Sequence, residues 1–369
     1  MRAFVVNQYK GPLHEADVPE PVVGEHDVLV QIEAAGLNQL DEKIRTGELK
    51  PILPYRLPLI LGHDLAGTVV GVGARVHGFV PGDEVFARPR DGRIGTFAER
   101  IAVDQADLAL RPRSVTMAEA GSLPLVALTA WQALVERADV RPGQKVLVHA
   151  GAGGVGTLAI QLAKHLGAQV ATTASAANTE LVRGLGADTV IDYRTQDFSE
   201  LLDGYDVVLD SLGGKNLEKS LRVLRPGGTA IGISGPPDPA FARQAGLNPL
   251  VRLGIRALSA GVRRQAERLG VRYEFLLMRA SGDQLRQIAA LVDEGVLRPV
   301  VGDDLPCRRD RPGTRRARTR HGPRQGGRDP LLTTSRRARR AGPRAFSQTG
   351  RVPHPPENTS GRRPPPSCG

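Results

Sequence analysis

The sequence predicts an α/β protein built from a β-rich N-terminal domain and a doubly wound parallel sheet. Its 369 residues are too many for one ordinary domain and suit two. Residues 1–115 contain short Val- and Ile-rich runs separated by Pro and Gly, whereas strand and helix patterns alternate from about Met117 onward. Such alternation is typical of a parallel sheet with right-handed crossovers.

Four runs in the first part are predicted as strands. They are MRAFVV, DVLVQIEAAG, LAGTVVGVGARV and VPGDEVFA. We expect the glycines of the third run at turns or bulges. No long helical pattern is convincing here, and only short turns are expected around Leu40–Arg45.

The second part begins with an apolar helical pattern that Pro124 interrupts, followed by the strand QKVLVHA, the loop GAGGVG and the helix VGTLAIQLAKHLG. The units predicted next are QVATTAS (strand), TELVRGLG (helix), DTVIDY and DVVLDSLG (strands), NLEKSLRVLRPGG (helix with its stop), TAIGIS (strand) and VRYEFLLM (sixth strand). Residues 236–270 carry six Arg and interrupt the pattern, and we interpret them as a solvated helical insert; a lid or a subunit contact is the alternative. Residues 281–297 predict an amphipathic helix, and RPVV after it a strand.

The chain's net charge of +11 belongs to its C-terminal end. Residues 301–369 contain 17 Arg, no Lys and five acidic residues, so they carry +12, whereas residues 1–300 carry −1. Only 12 residues of this end are apolar, too few to offset the entropy of ordering it. We therefore predict that 306–369 is a disordered basic tail. Because its basic residues are all Arg, we hypothesise a frameshift near residues 301–307.

Cysteine content and hydropathy exclude several classes of protein. Both cysteines, Cys307 and Cys368, lie near the C-terminus, so residues 1–300 can form neither a disulfide framework nor a cysteine-ligated metal site. No run approaches the roughly 20 apolar residues of a membrane helix. The N-terminus lacks the apolar run of a signal peptide. We expect a cytoplasmic protein with no membrane partner.

The glycine-rich loop predicts a dinucleotide site. It fits G-x-G-x-x-G and lies between a Val-rich strand and an apolar helix, the context that gives this short motif its meaning. Its glycines are expected to permit a tight turn, approach of the backbone to a pyrophosphate, and close packing of helix on strand. The residues predicted to contact the cofactor are Gly151, Ala152, Gly153, Gly154, Val155 and Gly156.

The end of the second strand favours NADP(H) over NAD(H). NAD sites usually place Asp or Glu about 20 residues beyond the loop, to bind the ribose hydroxyls. Here the stretch from Thr172 to Asn178 contains no acid, and Ser175 leaves room for a 2′-phosphate. Arg183 is the nearest basic residue in the sequence.

Four strings in this order resemble the medium-chain dehydrogenase/reductase superfamily, in its zinc-independent quinone oxidoreductase and enone reductase branch. They are GHDLAGTV (62–69), VPGDEV (80–85), LVALTAW (125–131) and HAGAGGVG (149–156). The resemblance implies a GroES-like domain over 1–117 to which 279–305 returns, and a Rossmann domain over 118–278. Members of the superfamily continue after RPVV with a strand, a helix and a last strand, so we expect the first domain to be incomplete.

The resemblance implies a metal-free site. Zinc-dependent members use a Cys, the His of G-H-E and a further Cys or Asp, but the first ligand position falls in a stretch, 36–41, that has no Cys. We predict that His63 is a hydrogen-bonded structural residue, and that Asp41 is a solvated or capping carboxylate. Hydride transfer then depends on the cofactor, with the protein supplying position, polarity and exclusion of water.

The resemblance also implies roles for single side chains. Asn38 and Thr129 are expected at the nicotinamide ribose or carboxamide, Ser175 and Tyr193 beside the adenosine phosphate, and Ser234 facing the cofactor. Tyr55 is a candidate catalytic donor, with packing of a Pro-rich loop as an equal alternative. The implied reaction is NADPH-dependent reduction of a quinone or of the C=C bond of an α,β-unsaturated carbonyl, and the expected assembly is a homodimer.

Three other classes stay open at this stage. A zinc alcohol dehydrogenase relative would bind one zinc per chain tightly. A nucleic-acid-binding protein would use the basic tail and show steep salt dependence, although we do not expect this partner. A non-catalytic protein would bind NADPH without turnover. The sequence does not identify the electron acceptor, because loop residues shape that pocket.

Overall fold

The structure is a computed structural model that describes residues 1–302, 304–306 and 315–317. Its strands are β1 (Arg2–Val6), β2 (His14–Asp17), β3 (Asp27–Ala34), β4 (Leu59–Ile60), β5 (Leu65–Val72), β6 (Glu84–Ala87), β7 (Arg100–Asp104), β8 (Leu108–Leu110), β9 (Lys145–Val148), β10 (Gln169–Ala174), β11 (Thr189–Asp192), β12 (Tyr205–Asp210), β13 (Leu224–Gly232), β14 (Arg272–Phe275), β15 (Asp304–Pro306) and β16 (Arg315–Ala317). Its α-helices are α1 (Gln39–Thr46), α2 (Met117–Gly121), α3 (Pro124–Trp131), α4 (Gly154–His165), α5 (Thr179–Gly184), α6 (Phe198–Leu201), α7 (Gly214–Val223), α8 (Pro239–Gln244), α9 (Pro249–Leu258), α10 (Ala260–Leu269) and α11 (Gly282–Asp293).

The N-terminal part consists of antiparallel sheets. A five-stranded sheet has the order β7-β3-β5-β6-β8, and a three-stranded sheet has the order β2-β1-β4. Val28, Val30 and Ile32 alternate along β3 and enter the core, as a strand with one buried face requires. The segment around Leu40–Arg45, where the sequence predicts only short turns, is an eight-residue helix, α1. Asp41 accepts from the Asn38 N–H at its start, and Gly47 ends it with a φ of 80°.

The second part is a six-stranded parallel sheet of order β11-β10-β9-β12-β13-β14. This is the doubly wound arrangement, in which the order of the strands along the sheet reverses between β9 and β12. The predicted fold class is confirmed. One boundary was wrong: residues 224–228, expected as the stop of a helix, already belong to β13. Leu224 pairs with Tyr205 there before the register shifts at Val207.

Helix α11 packs against the first part of the chain. The Ser114 N–H donates to Asp293 Oδ1 over 2.9 Å, and the place of a Cβ on Gly282 would lie 2.5 Å from the Leu108 carbonyl oxygen. On these contacts we propose that 279–305 returns to the N-terminal domain, with the other boundaries as predicted from the sequence.

The segment RPVV after α11 is not a strand, so that prediction was wrong. Its backbone pairs with a side chain instead of a sheet. The Arg298 N–H donates to Gln161 Oε1 over 2.9 Å, and Gln161 Nε2 donates to the Arg298 carbonyl oxygen over 3.0 Å. Gln161 lies on α4, so this amide joins the segment to the first helix of the parallel-sheet part.

The insert at 236–270 forms α8, α9 and α10. Five of its six arginines are exposed and Arg263 is half-buried, but α9 also exposes leucines. Leu250, Leu253 and Leu258 are 81%, 65% and 68% accessible. The insert is therefore helical as expected, and its outer face is more apolar than a solvated helix predicts.

Two short strands follow the last helix. Asp304–Pro306 and Arg315–Ala317 pair antiparallel, so residues 315–317 are ordered into a strand within the segment predicted to be disordered. The rest of the predicted tail, and with it the frameshift hypothesis, lies outside the described residues. Among the described residues, no helix is long and apolar enough to cross a membrane.

Candidate cofactor and active site

The glycine-rich loop connects β9 to α4 at the point where the strand order of the parallel sheet reverses. Gly151 lies against β10: its N–H donates to the Thr173 carbonyl oxygen over 2.9 Å, and a Cβ there would lie 2.1 Å from Thr172 Oγ1. A Cβ on Gly156 would lie 2.3 Å from the Ala150 carbonyl oxygen. Any side chain would force the helix and the turn apart, so both glycines are steric requirements.

The tight turn uses a different residue from the one expected. Gly151 was expected to permit it, but the left-handed backbone conformation falls on Ala150, with φ of 51°. Such a conformation costs a non-glycine residue energy and persists only where its surroundings impose it. The Ala150 N–H donates to Thr173 Oγ1 over 3.1 Å, which holds the turn in place.

The loop fits a dinucleotide phosphate. Gly153 is the N-cap of α4 and has an extended backbone. The first intrahelical bond runs from the Thr157 N–H to the Gly153 carbonyl oxygen, so the N–H groups of the first turn point outward from a positive helix end. A Cβ on Gly153 would meet one atom, the Ala150 carbonyl oxygen at 3.1 Å, so the backbone there is open to approach.

The predicted adenosine-side residues converge at the end of β10. Ser175 is 1% exposed, and its Oγ has no hydrogen-bond partner in the described part of the chain. The Tyr193 N–H donates to the Ala174 carbonyl oxygen over 3.3 Å, which brings Tyr193 beside that strand end. The Arg194 guanidinium lies 5.9 Å from the centre of the Tyr193 ring. An unpaired hydroxyl, a phenol and a cation thus lie around one strand end.

Asn38 and Thr129, the predicted nicotinamide-side residues, are joined through two others. Asn38 Nδ2 donates to Asp64 Oδ2 over 2.8 Å, and the Leu125 N–H donates to Asp64 Oδ1 over 2.7 Å. Thr129 Oγ1 donates to the Leu125 carbonyl oxygen over 2.7 Å. With its proton committed to the helix, the Thr129 hydroxyl can accept a bond from a carboxamide. Burial raises the pKa of Asp64 to about 8.

A lysine of the N-terminal part contacts the parallel sheet. Lys43, on α1, places its Nζ 3.5 Å from Oγ of Ser234, which follows β13 at the carboxyl edge of the parallel sheet. Ligands of doubly wound sheets bind at that edge. The two side chains are 191 residues apart in the sequence, so only the fold brings them together.

In the described part of the chain, the Tyr55 hydroxyl makes no hydrogen bond to Asn38 and Thr129 or to Lys43 and Ser234. It is buried without a hydrogen-bond partner among the described residues. Burial raises its pKa to about 12, and the charge of Asp91 adds to this. The phenol therefore keeps its proton at neutral pH and can donate it in a hydrogen bond.

His63 makes the structural hydrogen bond that was expected of it. Its Nδ1 lies 2.7 Å from Asp41 Oδ1, and both side chains are fully buried. Asp41 also accepts from the Asn38 N–H over 2.8 Å, so its capping role is seen, whereas its solvated alternative was wrong. The described residues contain no group of three His, Cys, Asp or Glu side chains placed to bind a metal.

Sequence reasoning missed three residues of this region: Lys43, Asp64 and Arg194. Each lies one or two positions from a residue that was chosen, namely Asp41, His63 and Tyr193. Asp64 could have been found, since it belongs to the GHDLAG string itself. The other two are charged residues of ordinary appearance, and only their spatial neighbours distinguish them.

A β domain joined to a doubly wound sheet with this glycine loop defines a two-domain dinucleotide-binding protein. Comparison with known families agrees: residues 24–113 match the family model described as alcohol dehydrogenase GroES-like domain, and 185–309 match the one described as zinc-binding dehydrogenase.

Individual relatives indicate to which dinucleotide-binding proteins the chain is similar. The NADPH-dependent alkenal/one oxidoreductase of Arabidopsis thaliana is 35% identical over 83% of this chain and 73% of its own length. The 2-methylene-furan-3-one reductase of Solanum lycopersicum is 42% identical over 61% of this chain and 59% of its own length. The structure of the quinone oxidoreductase from Coxiella burnetii is 31% identical with a TM-score of 0.68, covering 81% of this chain and 89% of that one. The chain belongs to the medium-chain dehydrogenase/reductase superfamily, and these relatives are quinone and enone oxidoreductases.

Proposed function

We propose that the chain is an NADPH-dependent oxidoreductase that transfers hydride, without a metal, to a quinone or to the C=C bond of an α,β-unsaturated carbonyl. The contact between Lys43 and Ser234 carries the proposal, because it places a cation and a hydroxyl at the carboxyl edge of the sheet. The relatives' names support the same substrate classes and favour this function over the zinc, nucleic-acid and non-catalytic alternatives.

The residues divide into a binding group and a reacting group. The loop from Gly151 to Gly156 would bind the pyrophosphate, and Asn38 and Thr129 would orient the nicotinamide, which supplies the hydride when bound. Negative charge then develops on the substrate oxygen, where the Lys43 ammonium would stabilise it, and a proton from solvent or a hydroxyl completes the reduction. Tyr55 would donate a hydrogen bond from the substrate side.

The preference for NADPH rests on the end of β10. The stretch from Thr172 to Asn178 at that strand end has no carboxylate that could bind the ribose hydroxyls of NAD(H). Ser175 offers an unpaired hydroxyl, and Tyr193 with Arg194 offers a phenol and a guanidinium, which suits a phosphate.

The metal-free mechanism rests on the state of the donor atoms. His63 Nδ1 is engaged by Asp41, and both oxygens of Asp64 accept hydrogen bonds. His63 Nε2 has no partner in the described part of the chain, but no group of three His, Cys, Asp or Glu side chains that could hold a metal occurs there, so the residues present do not fit a zinc site. Metal analysis of the purified protein that finds one tightly bound zinc per chain would contradict this part of the proposal.

The function is tested by NADPH and NADH oxidation against a panel of quinones, enones and alkenals. Turnover is expected with NADPH and at least one of these substrate classes. Lys43→Met should lower kcat by about tenfold or more, since one preorganised donor is worth roughly 2.7–4 kcal/mol in the best cases. The matched control is Lys50→Met in the same domain, because Lys50 lies over the Tyr9 ring instead of the cleft. NADPH binding without turnover on any panel member would overturn the function, and an unchanged kcat in Lys43→Met would overturn the role of Lys43.

We also propose a cytoplasmic homodimer. Strand β14 lies at the edge of the six-stranded sheet, where the Phe275 N–H is bonded to Asp238, and an edge strand is a place at which a second copy can pair. Light scattering should give twice the chain mass, and cell fractionation should recover the protein with cytoplasmic markers.

A further inference from the structure

Asp64 occupies the junction between the two residues proposed to orient the nicotinamide. It is 0% exposed, and its two oxygens accept from different elements: Oδ2 from Asn38 Nδ2 at the start of α1, and Oδ1 from the Leu125 N–H at the start of α3. Gly36 leaves room for it, since a Cβ there would lie 3.0 Å from Asp64 Oδ2.

Helix α3 depends on this carboxyl for its N-terminal acceptor. Its N-cap residue, Leu123, has no side-chain hydrogen-bond acceptor. Asp64 supplies that acceptor from 61 residues away, at the positive end of the helix. The same helix carries Thr129, one turn beyond Leu125, whose carbonyl oxygen the Thr129 hydroxyl bonds.

We propose that Asp64 is a positioning residue that sets the spacing between Asn38 and α3, and so shapes the nicotinamide end of the site. This inference rests on the proposed function, because it takes Asn38 and Thr129 as nicotinamide contacts. The hydrogen bonds run from Asn38 through Asp64 to Leu125 and then Thr129.

Two substitutions separate positioning from simple support of the fold. Asp64→Leu removes both acceptors at similar size and leaves the Asn38 amide and the Leu125 N–H buried without partners. Asp64→Asn keeps an acceptor for the Leu125 N–H, and its NH2 can donate to Asn38 Oδ1, which has no partner in the described part of the chain, once that amide turns over. Burial favours the protonated carboxyl, which the amide resembles.

The experiment compares binding of NADPH with binding of 2′-phospho-ADP-ribose, which carries the adenosine phosphate but no nicotinamide. We expect Asp64→Leu to weaken NADPH binding about tenfold or more while 2′-phospho-ADP-ribose changes by less than about twofold, because the Asn38 amide and the start of α3 lose the carboxyl that holds them in place. Asp64→Asn should retain the wild-type ratio within about threefold. Asp64→Ala carries the same expectation as Asp64→Leu and serves if the leucine variant does not fold.

The matched control is Asp27→Leu, in the same domain. Asp27 is also a buried carboxylate with two bonds to Arg93 and one to the Gly24 N–H, but it lies away from the cleft residues. This variant should lower the melting temperature and keep the wild-type binding ratio. Equal losses for both ligands in Asp64→Leu and Asp64→Ala, or an unchanged ratio, would overturn the positioning role alone. A wild-type chain that binds neither ligand would overturn the proposed function, and this proposal with it.

Discussion

Arg194 is a candidate phosphate-binding residue that the sequence pattern after β10 does not identify. The sequence has no acid from Thr172 to Asn178 and points to Arg183 as the nearest base, yet it is Arg194 whose guanidinium lies over the Tyr193 ring. Tyr193 is bonded through its backbone to the end of β10, so Arg194 is carried towards the same strand end as Ser175. A planar guanidinium is well suited to bind a phosphate.

Arg194→Ala is therefore expected to raise the KM for NADPH about tenfold, since a hydrogen bond to a charged group is worth roughly 1.5–3 kcal/mol. The KM for NADH should change by less than about twofold, because NADH lacks the phosphate that the cation would bind. Steady-state kinetics with both cofactors measure this. Arg183→Ala is the matched control, and a selective loss of NADPH in that variant instead would show that the sequence neighbour was the correct choice.

The turn from β9 to α4 is the element on which cofactor binding depends. Gly151 and Gly156 each approach other atoms too closely for a side chain, while Ala150 takes the left-handed conformation. The pattern G-x-G-x-x-G predicted the element and its neighbours correctly. It assigned the turn to the wrong residue, because a regular spacing of glycines does not reveal which one has a positive φ.

Gly156→Ala should separate α4 from the turn, because the new Cβ would lie 2.3 Å from the Ala150 carbonyl oxygen and 2.8 Å from Gly151 Cα. Overpacking of this kind costs roughly 1–3 kcal/mol, so we expect a lower melting temperature and at least about tenfold weaker NADPH binding. Fluorescence titration and thermal unfolding measure the two effects. Gly184→Ala in α5 is the control, since nothing lies within 4 Å of its Cβ position. Equal behaviour of the two variants would refute the steric argument.

A buried histidine beside the same loop makes the stability of the whole molecule depend on pH. His149 is 1% exposed, its Nδ1 lies 3.1 Å from Thr173 Oγ1, and its Nε2 lies 2.9 Å from Ser220 Oγ. Burial lowers its pKa from 6.5 to about 4, so the folded protein keeps the ring neutral. The unfolded chain protonates it below pH 6.5, and stability is therefore lost as pH falls from about 6.5 to 4.

Acidification from pH 7.5 to pH 5 should lower the free energy of unfolding by about 2 kcal/mol through His149, because each unit of pH below 6.5 contributes about 1.36 kcal/mol. Urea unfolding of the wild type and of His149→Gln at both pH values measures it. The variant should start less stable at pH 7.5 and lose about 2 kcal/mol less on acidification. Parallel pH dependence in the two proteins would contradict the assignment.

The sequence by itself determined the fold class, the order of most strands and helices, the place of the glycine loop and the absence of a cysteine ligand from residues 1–300. Those features follow from periodicity, punctuation by Pro and Gly, and the presence of particular residue types, all of which are local. It failed at RPVV, where a side chain of α4 replaces a strand partner. Only the tertiary structure decided the meeting of Lys43 with Ser234, the span of Asp64 from Asn38 to Leu125, and the place of Arg194. Contacts between residues 26 to 191 positions apart depend on how sheets and helices pack, and no local pattern encodes that packing.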